Sequence, residues 1–232
     1  MSMLPRVCVV LIGLGLAGES FAGNVTGRLE LPAPPERPPA ARRGFLDRTD
    51  NPITPVRPVN VGPHLAVVLE GEAKPQSPGQ VHWELGGDAF AKPLIVVPVG
   101  AEVLITNTSG TPHTLVALED PKLLESSPIT PSSSRSFRAT EAKVYTITDK
   151  DAPHLRGKVL VVATPYFALV EVNGAKPDHG AFQIPDVAEG SYKLRVFYRD
   201  GWIDRPDEPV TVAAKRNAEV TVKIPPAFPL RK

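Results

Sequence analysis

Sulfur is almost missing from this sequence. Its 232 residues include one cysteine and two methionines, and all three (Met1, Met3 and Cys8) stand near the N-terminus. If those positions are removed on maturation, the remaining chain has no disulfide, no thiolate and no thioether. Such a domain must be stabilised by its hydrophobic core. An apolar content of 42% is ordinary for a globular protein and can supply that core.

The N-terminus has the layout of a cleaved secretory signal. Arg6 is followed by an apolar stretch over 7–18, and residues 20–22 place small side chains at the −3 and −1 positions. The stretch is shorter than the roughly 20 residues that a membrane crossing needs. Cys8 lies inside it, not just after it, where a lipid-modified cysteine would stand. We expect cleavage near Ala22, a periplasmic or extracellular product, and no membrane span in the mature chain.

A surplus of charge and a helical period are also missing. The formal net charge of +1 gives no general attraction to nucleic acid or to an anionic membrane. With 27 prolines and 18 glycines, no long segment keeps a 3.6-residue apolar period. Short apolar or alternating runs between turns predict an all-β sandwich or barrel. The predicted strands are 25–31, 65–69, 94–99 (with Pro98 indicating an edge or a bulge), 103–106, 114–118, 136–139, 144–147, 159–162, 168–172, 181–184, 192–198, 210–212 and 219–224.

Two segments are candidate partner-binding surfaces. The region 32–63 is rich in proline and arginine and is predicted to lack regular structure. It is either a long surface loop or an extended binding arm, with Arg42, Arg43 and Phe45 as contacts. Trp202 follows a glycine in a predicted loop. It either contacts a partner or folds back to cap the sandwich.

The stretch from Phe90 to Val162 resembles a cupredoxin. The resemblance is carried by the sequences PLIVVPVGAEVLITNTSGTPHTLVAL and SSSRSFRATEAKVYTITDKDAPHLRGKVLVV. The first sequence is similar to the family's strand, turn, strand and Asn-containing loop. The second is similar to its Ser-Phe strand, its Tyr strand, its ligand loop and its closing strand. The resemblance implies a Greek-key barrel, and it is closest to secreted plastocyanin-like proteins of the methylamine-utilisation type.

The resemblance also implies where copper ligands would stand. Blue copper is bound by two His and one Cys, with a weak axial Met, and His113 falls at the first His. The family's ligand loop reads Cys-x-x-His-Pro-x-Met-x-Gly. Laid on TDKDAPHLRG, it places Asp149 at the Cys, Ala152 at the His and Leu155 at the Met. A shifted register that makes His154 the ligand puts an aspartate at the Cys and still has no Met.

Two interpretations of these histidines stay open. In the first, His113 is a hydrogen-bonded residue near the barrel end, His154 is an exposed loop residue, and no cofactor is bound. In the second, His113 and His154 approach one another with Asp149 or Asp151 nearby and form a sulfur-free Cu(II) or Zn(II) site.

The C-terminal part resembles a carboxypeptidase regulatory-like (transthyretin-like) domain. The pattern Gly-x-Phe-x-Ile-Pro-x-Val-x-x-Gly-x-Tyr-x-Leu-x-Val is carried by Gly180, Phe182, Ile184, Pro185, Val187, Gly190, Tyr192, Leu194 and Val196. The resemblance implies a hairpin before Gly180, and its spacing puts Phe182 and Ile184 on one strand face. Gly190 is expected to permit a tight turn. The family's first strands are similar to NVTGRLELP and HLAVVLEGEA. These strands either belong to this sandwich, with the cupredoxin-like part inserted into it, or complete the cupredoxin-like barrel, and the Val-x-Gly-x-Leu pattern favours the sandwich.

These observations predict the domains and a function. The expected parts are a signal peptide (1–22), N-terminal strands and the Pro/Arg-rich loop of the regulatory-like sandwich (23–75), a cupredoxin-like domain (76–162) and the rest of the sandwich (163–232). No nucleophile elbow, phosphate-binding loop or zinc-protease motif is found in the sequence. We therefore expect no enzyme, but a structural or binding module that recognises a protein or glycan of the cell envelope or of an extracellular assembly. The alternative is a periplasmic copper-binding or electron-transfer protein using His113.

Overall fold

The computed structural model describes residues 22–32, 61–72, 77–87, 89–172, 178–214 and 216–226. Its regular structure in these ranges is strand, apart from a 3-10 turn at Gly62–His64, so the all-β prediction is confirmed. Among the described residues, no helix is long and apolar enough to cross a membrane. The strands are β1 (Ala22–Glu30), β2 (Leu65–Gly71), β3 (Gln80–Gly86), β4 (Ala89–Phe90), β5 (Leu94–Pro98), β6 (Glu102–Asn107), β7 (Leu115–Ala117), β8 (Ser134–Arg138), β9 (Val144–Asp149), β10 (Arg156–Val162), β11 (Phe167–Leu169), β12 (Glu171–Val172), β13 (His179–Ala188), β14 (Gly190–Tyr198), β15 (Gly201–Trp202), β16 (Glu208–Val212) and β17 (Ala218–Lys223).

The strands form four sheets. Sheet 1 has the order β12-β13-β1-β17, and sheet 2 has the order β11-β2-β14-β15, with β16 also on β14. Sheet 3 has the order β5-β10-β9-β7, and sheet 4 has the order β4-β3-β6-β8. The N-terminal strands therefore join C-terminal ones: β1 lies between β13 and β17, and β2 lies between β11 and β14. The chain between β2 and β11 builds sheets 3 and 4.

The four sheets stack with apolar side chains between them. One core lies between sheets 1 and 2, and another lies between sheets 3 and 4. A third cluster joins sheets 2 and 3, and it includes Val68, Leu160 and Phe197. Because side chains alternate across a strand, β2 sends Leu65, Val67 and Leu69 to the first core and Ala66 and Val68 to the third cluster. Burial on both faces explains why β2 is an unbroken apolar run in the sequence.

Several local predictions can be compared with these strands. Pro98 ends β5, which is an edge strand of sheet 3. Proline has no N–H to donate to a neighbouring strand, so it is expected at such an edge. The Val99–Gly100 turn follows, with Gly100 at φ +84°. β12 and β13 form the hairpin expected before Gly180. A tight turn is found where it was expected at Gly190, because Glu189 alone separates β13 from β14. It joins strands of different sheets, and Gly190 is not at positive φ, so the turn does not need the conformational freedom of glycine.

Candidate functional site

The candidate site lies where loops meet at one end of the sandwich of sheets 3 and 4. His113 follows β6 and forms an isolated bridge with Ile129 through two backbone hydrogen bonds. Asp149 is the last residue of β9 and pairs with Leu115 of β7. Strand pairing thus brings together two residues that are 36 positions apart in the sequence.

His113 and Asp149 form a direct, buried hydrogen bond. The Nδ1 atom of His113 lies 2.7 Å from Oδ2 of Asp149, and the two side chains are 6% and 3% exposed. An ionised carboxylate can only accept hydrogen bonds, so the Nδ1 atom carries the hydrogen. The pair is therefore a buried donor and acceptor that satisfy each other.

The second oxygen of Asp149 is also occupied. Its Oδ1 accepts the backbone N–H of Asp151 at 2.7 Å and that of Ala152 at 3.2 Å. Burial by itself raises the pKa of Asp149, but the N–H of Asp151, the His113 ring and the N–H of Ala152 together lower that pKa below its ordinary value. Asp149 is therefore held as a carboxylate that closes the β9–β10 loop.

The other ring nitrogen of His113 faces two hydroxyl groups. Its Nε2 atom lies 2.9 Å from Oγ of Ser109 and 3.2 Å from Oγ1 of Thr111. Ser109 Oγ donates to Oδ1 of the fully buried Asn107 at 2.6 Å. The amide of Asn107 donates to the carbonyls of Thr111 and Ile129, which fixes its orientation. We call Asn107, Ser109, Thr111, His113 and Asp149 the His113 cluster.

The His113 cluster does not fit a type 1 copper centre. Nδ1 of His113 donates to Asp149, its Nε2 is within reach of the Thr111 hydroxyl as a donor, and both oxygens of Asp149 accept hydrogen bonds within the protein. The sequence has no cysteine or methionine after Cys8, so the residues that the structure describes offer neither the thiolate nor the thioether of such a centre. Leu155, at the implied axial position, is 1% exposed and packs in the core.

The structure does not place the two candidate metal histidines in a common donor set. His154 is exposed in the turn after Pro153, while His113 is buried. Within the ranges that the structure describes, no three His, Cys, Asp or Glu side chains lie where they could share a metal ion. Asp151, the alternative carboxylate, is exposed and contributes only its backbone N–H to the cluster.

The candidate partner contacts are only partly described. Trp202 is half-buried in the third cluster, 5.5 Å from the ring of Phe197, with the Arg195 guanidinium 4.2 Å from its ring centroid. Arg42, Arg43 and Phe45 lie outside the described residues, as does the predicted signal segment before Ala22. Their partner-binding role stays a prediction.

Sequence reasoning named His113 and Asp149 but missed the hydroxyl half of the cluster. Ser109 and Thr111 precede His113 at alternate positions in the stretch NTSGTPH. Such a concentration of Asn, Ser and Thr beside a histidine indicates side chains able to hydrogen-bond locally. That signal was present, although it does not say which hydroxyl faces the ring.

The fold and the site define an all-β protein in which the sandwich of sheets 3 and 4 carries a buried histidine–aspartate cluster. In structure, the chain is similar to a purple cupredoxin from Nitrosopumilus maritimus, with 21% identity over 35% of this chain and 99% of that one and a TM-score of 0.33. It is also similar to amicyanin from Paracoccus versutus, with 18% identity over 41% of this chain and 97% of that one and a TM-score of 0.33. No family model matches the chain, and no curated protein matches it in sequence.

Proposed function

We propose that this protein is a non-catalytic, secreted β-protein that serves as a structural or binding module of the cell envelope or of an extracellular assembly. Its cupredoxin-like part has lost the type 1 copper ligands. The observation that carries the proposal is the direct 2.7 Å contact between His113 and Asp149, the two residues at the implied histidine and cysteine positions. A hydrogen bond now joins the groups that a metal would join.

The His113 cluster supports a structural role because it connects separate loops. Asn107 accepts and donates within the loop after β6, His113 is bridged to Ile129, and Asp149 orders the β9–β10 loop. Asn107, His113 and Asp149 are buried and partnered, which is the condition for a polar network to stabilise a core. The cluster holds the loops together without a cofactor.

The same residues do not favour catalysis. Ser109, His113 and Asp149 are connected in the order of a nucleophile, a base and an orienting acid. However, Ser109 is only 9% exposed, and its hydroxyl has a shorter contact to Asn107 Oδ1, at 2.6 Å, than to the ring. An amide oxygen can only accept, so the serine proton points away from the base.

Metal analysis tests the loss of the copper site. We expect the purified protein to retain no stoichiometric copper or zinc after dialysis, and His113→Ala to leave its metal content unchanged, because Nδ1 of the ring is engaged with Asp149 and Nε2 with the hydroxyl of Thr111. Elemental analysis and titration with Cu(II) make the measurement. Copper bound at one equivalent and lost in His113→Ala would overturn the proposal in favour of a copper protein.

A positive control comes from restoring the implied ligand set. The triple variant Asp149→Cys, Ala152→His, Leu155→Met keeps His113 and supplies two imidazoles, a thiolate and a thioether. We expect it to bind Cu(II) with an intense visible thiolate charge-transfer absorption that the parent protein and an Asp151→Cys variant lack. A folded triple variant without that absorption would contradict a cupredoxin-like arrangement of these positions.

Secretion and partner binding are tested in the native cell. Intact-mass analysis should find the chain in the periplasmic or extracellular fraction, beginning close to Gly23. Crosslinking should then recover a protein or glycan of the envelope, and recovery should fall when Arg42, Arg43 and Phe45 are together changed to Ala, while Lys122→Ala has no effect. A full-length chain in the cytoplasmic fraction would contradict this location.

A further inference from the structure

A cleft opens between sheets 2 and 3, away from the His113 cluster. Its volume is about 410 Å³, which lies within the range of 300–1,000 Å³ that is common for small-molecule sites, and clefts between domains are frequent locations for them. Val68 and Trp202 contribute from one sandwich, and Val144, Leu160 and Val162 contribute from the other. The walls are therefore mostly apolar.

The charged side chains of this cleft carry a surplus of positive charge. Among its described lining residues, Lys143 and Arg195 are cationic and Glu70 is anionic. Arg195 is held in place: its Nη1 donates to Glu70 at 2.6 Å, and its guanidinium lies 4.2 Å from the Trp202 ring centroid. A single contact with Glu70 leaves further donors of the fork-shaped guanidinium for another acceptor.

Lys143 lies on the other side of the cleft, directly before β9, and is held in a similar way. Its ammonium lies 2.6 Å from Glu141, which is not among the lining residues, and 4.9 Å from the ring centroid of Tyr145. An ammonium has three donors. The cleft thus presents oriented cationic donors next to apolar walls.

We propose that this cleft binds a small apolar molecule that carries one carboxylate. The apolar part would contact Trp202 and Val144, which are only partly buried, and the carboxylate would accept hydrogen bonds from Lys143 and Arg195. A ligand carboxylate would compete with Glu141 for Lys143 and share Arg195 with Glu70, and charge-assisted hydrogen bonds are roughly twice as strong as neutral ones. The proposal goes beyond the structural or binding role and shares no residue with the His113 cluster.

The test compares 4-phenylbutyrate with its neutral amide, 4-phenylbutanamide, by calorimetry and tryptophan fluorescence on the purified chain. We expect saturable binding of the acid that is at least about tenfold tighter than that of the amide. Lys143→Met should weaken acid binding about tenfold and leave the amide unaffected. Lys122→Met, a matched loss of one exposed lysine outside the cleft, should change neither.

A second variant changes the charge in the opposite direction. Glu70→Gln removes the only lining carboxylate among the described residues and should tighten acid binding severalfold. Thermal unfolding checks that each variant is folded. The proposal is overturned if the acid shows no saturable binding, if acid and amide bind equally, if Lys122→Met weakens binding as much as Lys143→Met, or if Glu70→Gln weakens acid binding.

Discussion

Replacing Asp149 with alanine is expected to lower the free energy of unfolding by about 3–5 kcal/mol, since three hydrogen-bond donors lose their acceptor and each buried group left unsatisfied costs about 1–3 kcal/mol. The carboxylate accepts three hydrogen bonds, from the His113 ring and from the N–H groups of Asp151 and Ala152. In Asp149→Ala, all three donors lose their acceptor, in a place where the residue itself is only 3% exposed. Denaturant unfolding followed by circular dichroism measures the change.

Two further variants separate the hydrogen bonds from a general effect of mutation. Asp149→Asn keeps an oxygen for the two backbone N–H groups but turns an NH₂ donor toward Nδ1 of His113, which accepts it only if the ring changes tautomer, so we expect a smaller loss of about 1–3 kcal/mol. Asp151→Ala changes an exposed side chain and should stay within about 0.5 kcal/mol. A loss below about 1 kcal/mol in Asp149→Ala would contradict a structural role for the cluster.

Acid should remove the same contribution. The pKa of Asp149 in the folded protein is lowered, so it lies below the unfolded value of about 3.9. The stabilisation is therefore fully present above the unfolded pKa and is lost as the pH falls through the folded pKa. The stability difference between the parent protein and Asp149→Asn should shrink as the pH drops below about 4. A difference that stays constant on acidification would show that the carboxylate charge is not what stabilises the fold.

Strand positions could be predicted well because burial leaves a direct trace in the sequence. Every predicted strand overlaps an observed one, and the unbroken apolar runs are those buried on both faces, as in β2, β5 and β10. β3 was missed, although Val81, Trp83 and Leu85 alternate with polar residues in QVHWELG. Its outward side chains are Gln, His and Glu, which are uncommon in strands and hide the alternation.

Contacts between distant residues could not be predicted in the same way. The resemblance places Asp149 at the implied Cys position, but only the pairing of β7 with β9 brings its carboxylate to the ring of His113. The third cluster is a similar case, because an apolar run indicates burial without saying which sheet covers it. The crossing of the chain at Gly190 was also missed, since a turn inside a sheet and a turn between sheets use the same residues.

Gly157, the last residue of the implied copper-loop pattern, leaves space for the rings of Trp83 and Phe90. Gly157 lies in β10 opposite Ile147, directly below the ring of Trp83. A Cβ atom at this position would lie 2.3 Å from Cζ2 of Trp83 and 2.6 Å from Cδ2 of Phe90. The two rings are stacked with centroids 4.0 Å apart, and Trp83 Nε1 donates to the carbonyl of Lys92 at 2.8 Å. The indole cannot move without losing these contacts.

Gly157→Ala is therefore expected to lower the free energy of unfolding by about 3 kcal/mol, at the upper end of the range for overpacked cores. Gly110→Ala is the matched control, because no atom lies within 4 Å of a Cβ built at that exposed glycine, and it should change stability by less than about 1 kcal/mol. Trp83→Phe removes the indole atoms that the new methyl group would meet. The double variant should accordingly lose at least about 1 kcal/mol less than the sum of the two single changes. Additive losses would mean that Gly157 is needed for its backbone and not for the space it leaves to Trp83.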